Sequence, residues 1–362
     1  PPLNPQPGCP KTSDDGQSEG TGAVGEDLEG DLLIPGVVDL HTDSLEKHYF
    51  PRPNIDWAPA SAAVTHDGCC LSVGVTTVFN SLSVGSYASS ARDANNLRRL
   101  VDGLLAARRA GMLKGDHRIH WRCETTADDL SERLDLLADH PMTSLFSLMD
   151  HTPGQRQYRN LERHLAGWRD GGMSEAAALD RLADARDRQA RNAARHRRLV
   201  AEMARERGLP LASHDDEEVA HVDEAADLGA TIAEFPVTLE AARRSRERGM
   251  TIVMGGPNLI RGGSYSGNVP AADLARAGLL DGFASDYVPR SLIECAFRMA
   301  AEPYCWSLPD AVALVSRIPA LAAKLEDRGA IHAGLRADLV RVRVIEGLPT
   351  VRGVWAAGVR VA

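Results

Sequence analysis

The sequence predicts an α/β chain folded as a (β/α)8 barrel of the TIM type, with a small accessory β domain. Three observations carry that reading. Eight short apolar runs alternate with amphipathic stretches, most of the runs end in a residue able to bind metal or phosphate, and the C-terminal tail changes to strand alternation punctuated by glycine. A length of 362 residues with 43% hydrophobic content is enough for a core of that size. A doubly wound sheet is the competing fold, but no Gly-x-Gly-x-x-Gly follows any of the runs.

Taken in order, residues 1–25 are rich in Pro, Gly, Ser and Asp without a hydrophobic period, and are expected to form a flexible tail. The eight runs are Ile34–Leu40, Val75–Phe79, Arg118–Cys123, Thr143–Met149, Leu209–Ser213, Thr231–Phe235, Thr251–Met254 and Phe283–Ser285. Helices are expected over Asn95–Ala110, Ala127–Ala138, Glu217–Leu228 and Thr238–Arg248, and again over Ser291–Ala301 and Pro309–Leu325. Ser174 is placed to cap a long helix running to about Arg207, with Gly208 ending it and Pro210 just beyond. The arginines of that helix (Arg181, Arg186, Arg188, Arg191, Arg195, Arg197, Arg198) are interleaved with Asp184, Asp187, Glu202 and Glu206, and read as a solvated face. The tail from Arg336 alternates as strands do, with turns at Gly347, Gly353 and Gly358. Residues 26–33 with 330–362 are therefore assigned to the accessory domain, and 34–329 to the barrel.

Composition limits the partners. A net charge of -9 argues against a general nucleic-acid surface, so an anionic substrate must be held by local Arg, Lys, metal or backbone N–H groups. Six cysteines without Cys-x-x-Cys spacing read as reduced thiols. No apolar run approaches the ~18 residues of a membrane span, and no basic-then-apolar leader is seen. The expected setting is the cytoplasm without membrane attachment, and association into a homo-oligomer is compatible with it.

The chemistry begins where the first run ends, in His41 and Asp43, which share one side of an extended strand and can aim at one point. Glu124 follows the third run, Asp150 and His151 the fourth, and His214, Asp215 and Asp216 the fifth. Glu234 lies in the sixth, Arg261 follows the seventh and Asp286 the eighth. A barrel brings all of these strand ends to one mouth.

Longer tracts narrow the reading. PGVVDLHTDSLEKH with PRPNIDW, SLMDHTPGQRQY, ASHDD followed by AEFPVTLEAA, and MGGPNLIRGGSYSGNV followed by SDYVP stand with RADLV and VRGVWAAG in the tail. From about Leu32 to the C-terminus the chain resembles the amidohydrolase superfamily and, within it, the phosphonate-metabolism protein M family. The resemblance implies hydrolysis of α-D-ribose 1-methylphosphonate 5-triphosphate to the 5-phosphate and diphosphate, in the carbon–phosphorus lyase pathway, with a small phosphorylated ribose as partner. The chain departs from the family pattern at Ser44 and Tyr265, where the family has Asn and His.

The resemblance also implies one or two divalent ions, Zn²⁺ or Mn²⁺, held by His41, Asp43, Glu124, His151, His214 and Asp286. Glu124 is expected to bridge two ions, and Asp286 to be both ligand and proton acceptor for the attacking water. Substrate contacts are expected from Lys47, Gln155, Arg156 and the loop Arg261, Gly262, Gly263, Ser264, Ser266 and Asn268, whose N–H groups suit an anion nest. Two rival readings stand beside this one. Amide hydrolysis or deacetylation of a small N-acyl compound fits the polar loops less well, and a non-catalytic binding barrel fits the full set of candidate ligands less well.

Overall fold

The structure, a computed structural model, describes residues 25–52, 55–85, 94–264 and 266–362. Apart from Gly25, the tail expected over 1–25 lies outside the described residues, as does Tyr265. The strands are β1 (Leu32–Pro35), β2 (Val37–Thr42), β3 (Val75–Val84), β4 (Asp116–Glu124), β5 (Thr143–Met149), β6 (Leu211–His214), β7 (Ile232–Glu234), β8 (Thr251–Gly255), β9 (Gly282–Ala284), β10 (Leu339–Ile345), β11 (Leu348–Ala356) and β12 (Val359–Arg360). β2 to β9 form an eight-stranded parallel sheet in sequence order, and β1, β10, β11 and β12 a four-stranded antiparallel one. Each of the eight expected runs overlaps one barrel strand.

The barrel is packed on both surfaces, as parallel sheets require. Val38, Leu40, Phe79, Leu145, Ala212, Ile232, Val253 and Ala284 form the inner cluster, drawn from seven of the eight strands. The larger outer cluster lies between the sheet and its helices.

The first apolar run proves to be two strands in two sheets. Gly36 is the hinge: a Cβ there would lie 2.2 Å from Thr76 Oγ1 and 2.7 Å from Asp338 Cβ, so only glycine allows the backbone this close. Ile34 and Pro35 accordingly pair with Val340 and Leu339 in the accessory sheet, and the barrel strand begins at Val37.

The barrel closes between β9 and β2 through a composite seam. At its base, the carbonyls of Leu314 and Val315 accept from Phe283 N (3.0 Å) and Val38 N (2.9 Å). Midway, Asp39 Oδ1 accepts from Ser285 N at 3.0 Å and His41 N at 3.2 Å. At the mouth Asp43 N donates to the Asp286 carbonyl (2.7 Å) and Asp286 N to that of His41 (2.8 Å). The Val315 carbonyl is available because Pro319, four residues on, has no N–H to donate. For the same reason the helix expected over Pro309–Leu325 is two short ones, Leu308–Ala313 and Arg317–Ala322. Elsewhere the helix expectations hold: Ser174 Oγ caps Glu175–Glu206 by accepting from Ala177 N. Among the described residues no helix is long and apolar enough to cross a membrane.

A buried ion pair fixes the end of the barrel opposite the mouth, where Asp116 opens β4. Arg328 Nη1 donates to Asp116 Oδ2 at 2.7 Å and Arg118 Nη2 at 2.9 Å, with Asp116 and Arg328 both buried. Burial pushes the Asp116 carboxyl up, but the Arg118 and Arg328 charges outweigh it and hold it below the usual carboxylate range. The stability it contributes is therefore present above the unfolded-state pKa of about 4 and is lost as pH falls through the lower folded value. Asp116→Ala removes the buried one of Arg328's two carboxylate partners, leaving the more exposed Asp327, and is expected to cost about 1–3 kcal/mol at pH 7. Denaturant titration at pH 7 and at progressively lower pH checks this, with the deficit shrinking on acidification.

Candidate metal centre

At the barrel mouth four strand ends converge. Just beyond the ends of β6, β7 and β9, Asp215, Phe235 and Asp286 each have φ of 58°, a left-handed conformation unusual outside glycine that concentrates at functional sites. On β2 the stretch from Asp39 to Thr42 opposes only Val78 to Asn80, so one extra residue bulges and re-aims the strand end. His41 and Asp43 then meet across the turn, Nε2 to Oδ1, at 3.5 Å.

Carboxylates stand behind the imidazoles. Glu234 Oε1 accepts from His41 Nδ1 at 2.9 Å, and its Oε2 from His214 Nδ1 at 2.6 Å. Glu124 Oε2 accepts from His151 Nδ1 at 2.6 Å. With Nδ1 held this way each ring presents Nε2 to the mouth, the arrangement in which an outer carboxylate fixes tautomer and orientation for a metal. His41 Nε2 and Asp215 Oδ2 are buried without hydrogen-bond partners, and Asp215 Oδ2 lies 3.3 Å from His214 Nε2 and 4.0 Å from His151 Nε2. His41, Asp43 and Asp286 form one group whose ligand atoms lie within 4.8 Å of one another, and His151, His214 and Asp215 form another. Buried nitrogen and oxygen donors aimed at common points fit a divalent cation.

The electrostatics agree. Burial lowers the His41 pKa, but the Glu234 charge overrides it and raises it to about 10. His151 is likewise raised, against burial, by Glu124. Burial also pushes Asp286 up, and the Asp43 charge adds to it, making Asp286 a stronger proton acceptor than an ordinary carboxylate. His120, expected to be structural or exposed, sits edge-on to His41 at 5.4 Å between centroids, and burial lowers it to about 3.

Several expectations need correction. Glu124 stands outside the candidate ligand groups: its oxygens accept from His151 Nδ1, His151 N and Thr126 Oγ1, which places it behind the His151 ring and not between two groups. Arg156 is buried, donating from Nη1 to Asp216 and to the His214 carbonyl at 3.2 Å, so it braces the β6 loop instead of facing a substrate. Gln157, in place of Gln155, borders the cleft. The N–H groups of Gly262, Gly263 and Gly267 are used in the loop's own turns, at 3.2, 2.8 and 3.4 Å, which leaves no nest from them. What the loop brings to the cleft is side chains. Arg261, Ser264, Ser266 and Asn268 line the same open cleft, of about 560 Å³, as Asp215 and Asp286. Arg261 Nη1 donates to Tyr287 Oη at 3.3 Å, and exposed Lys47 donates to the Tyr287 carbonyl at 3.2 Å, on the rim. Sequence reasoning also missed Arg122, whose Nη1 donates to Asp43 Oδ1 at 2.8 Å.

Glu234→Gln tests the carboxylate behind two ligands. It is expected to weaken divalent-metal affinity by about 10–100-fold. It also reduces the protons released on metal binding near neutral pH, because Glu234 is what keeps His41 protonated. Chelator competition and calorimetry in buffers of different ionisation enthalpy read the two effects.

Comparison with known proteins places this geometry. Over 340 residues, 92% of this chain and 89% of the other, it is 41% identical to the α-D-ribose 1-methylphosphonate 5-triphosphate diphosphatase of Escherichia coli (strain K12). In structure it is similar to a 5-methylcytosine deaminase from Klebsiella pneumoniae (TM-score 0.61, 15% identity, 96% of this chain and 90% of that one). It is also similar to a dihydropyrimidinase from Brevibacillus agri (TM-score 0.57, 13% identity, 96% and 88%). At those identities the two structures show the shared fold alone. Residues 70–362 match the model of the amidohydrolase family, and the chain belongs to that family.

Proposed function

We propose that this protein hydrolyses α-D-ribose 1-methylphosphonate 5-triphosphate, breaking the anhydride between the α- and β-phosphates and releasing diphosphate, a step of phosphonate catabolism. The observation that carries the reading is the union of two chemistries in one cleft. Asp286 and the metal-binding groups border the same space as Arg261 and the hydroxyls of Ser264 and Ser266. A cation site alone serves many hydrolytic reactions; a cation site facing a cationic, hydroxyl-lined loop suits a polyphosphate. The 41% identical relative carries the same activity in its name.

The two neighbouring groups, His41/Asp43/Asp286 and His151/His214/Asp215, support two ions, and mixed imidazole and carboxylate donors suit Zn²⁺ or Mn²⁺. A divalent cation held there supplies Lewis acidity toward the anhydride oxygens and makes water more acidic. The chain's own residues do the rest. Asp286, with its raised proton affinity, accepts the proton of the attacking water at its carboxylate. Glu234 and Glu124 hold the imidazoles in register. Arg261 meets the charge that grows on the departing diphosphate.

Asp286→Asn is expected to lower kcat for diphosphate release by about a hundredfold to ten-thousandfold. Arg261→Ala is expected to act mainly on KM, by about tenfold for one charge-assisted hydrogen bond. Steady-state assay of diphosphate from metal-reconstituted protein checks both. Release by neither variant nor wild type, with metal bound, overturns the proposed reaction.

A further inference from the structure

A second cavity adjoins the candidate metal centre at His151. It is an open space of about 730 Å³ bordered by His151, Thr126, Tyr158, Trp168, Arg181 and Arg188 among others, and among the described residues no carboxylate lines it. That is notable beside an acidic metal nest in a chain of net charge -9. One wall is a continuous aromatic path: His151 to Tyr158 at 5.7 Å, Tyr158 to His164 at 4.4 Å, His164 to Trp168 at 4.7 Å. The path ends where the Arg181 guanidinium lies over the Trp168 ring at 4.7 Å. Among the described residues no carboxylate pairs with Arg181. The facing wall is the Glu175–Glu206 helix, on which Arg181, Ala185 and Arg188 fall at i, i+4 and i+7 on one side. The roof is the Leu161–Asp170 helix, which buries none of its residues completely. Arg181, exposed as the sequence reading has it, and half-buried Arg188 thus also border a cavity that opens on His151.

We propose that this cavity is the subsite for the phosphonate-bearing end of the substrate, with Arg181 and Arg188 as its anion contacts and the Tyr158–Trp168 wall packing on the sugar and the methyl group. The assignment rests on the reaction proposed above. The two ends of that substrate differ in kind. The departing diphosphate is densely charged and suits the metal, Arg261 and hydroxyl groups. The methylphosphonate ester carries a single negative charge and an apolar methyl, and suits guanidinium groups set against aromatic rings. Groups of the candidate metal centre border both clefts, Asp215 and Asp286 the first and His151 the second, so the anhydride is placed at the centre with one end of the substrate in each.

The test compares diphosphate release from ribose 5-triphosphate with and without the 1-methylphosphonate, using metal-reconstituted wild type, Arg181→Gln and Arg181→Lys. The preference for the phosphonate-bearing substrate, taken as the ratio of kcat/KM values, is expected to fall about tenfold in Arg181→Gln, the worth of one charge-assisted hydrogen bond, and to recover in part in Arg181→Lys. An equal loss on both substrates, or an unchanged ratio, overturns the subsite. If wild type releases diphosphate from neither compound, the proposed reaction has failed, and binding of methylphosphonate to the metal-loaded proteins decides the cavity separately. Weaker binding to Arg181→Gln than to wild type then supports the anion site, and equal binding overturns it.

Discussion

Everything at the mouth depends on how the last barrel strand is joined to the first. β9 and β2 are not joined by a regular ladder: backbone carbonyls from residues 314 and 315, a buried carboxylate and one bridge at the top share the work. The carboxylate is Asp39, and burial raises its pKa to about 6, so the seam keeps a costly group where a plain strand pair would need none. The return is placement. The bridge between Thr42 and Asp286 sets a residue from the start of the barrel against one from its end, and the Asp286 carboxylate then sits beside His41 and Asp43.

A second constraint is the segregation of charge. Acidic groups gather at the centre, where they hold imidazoles in place and raise the proton affinity of His41 and His151. Apart from Arg122, which pairs with Asp43, cationic groups border the clefts, Arg261 on one and Arg181 and Arg188 on the other. A divalent cation and a substrate with two anionic ends are the natural complement of such a pattern. Arg156 and Asp216 satisfy one another, and they brace the β6 loop instead.

The barrel was legible because its signals are local. Apolar runs, strand-ending His and Asp residues and the Ser174 cap all lie within a few residues of what they determine, and the topology then carries His41, His151, His214 and Asp286 to one mouth. Contacts across the barrel were not legible. Glu234 sits inside an apolar strand and acquires its role only from two histidines, one of them 193 residues away in sequence. An arginine in a loop looks the same whether it meets a ligand or, as Arg156 does, an aspartate on another strand. The Gly262–Gly263 loop read as an anion nest because composition does not reveal which amides its own turns consume. Arg181 is exposed, as the sequence reading has it, but nothing local shows that the same face borders a cavity beside the neighbouring helix and the Tyr158 turn.

The central claim is that the strand ends at this mouth hold divalent metal in contact with the residue that accepts a proton from water. Anomalous diffraction from crystals of the metal-loaded protein, collected on both sides of the metal's absorption edge, tests it most directly. The account predicts peaks within coordination distance of His41 Nε2 and Asp286, and of His214 Nε2 and His151 Nε2, with Glu234 and Glu124 behind the rings. Peaks confined to other parts of the molecule, or stoichiometric metal that leaves His41 and Asp286 without a peak between them, would contradict it.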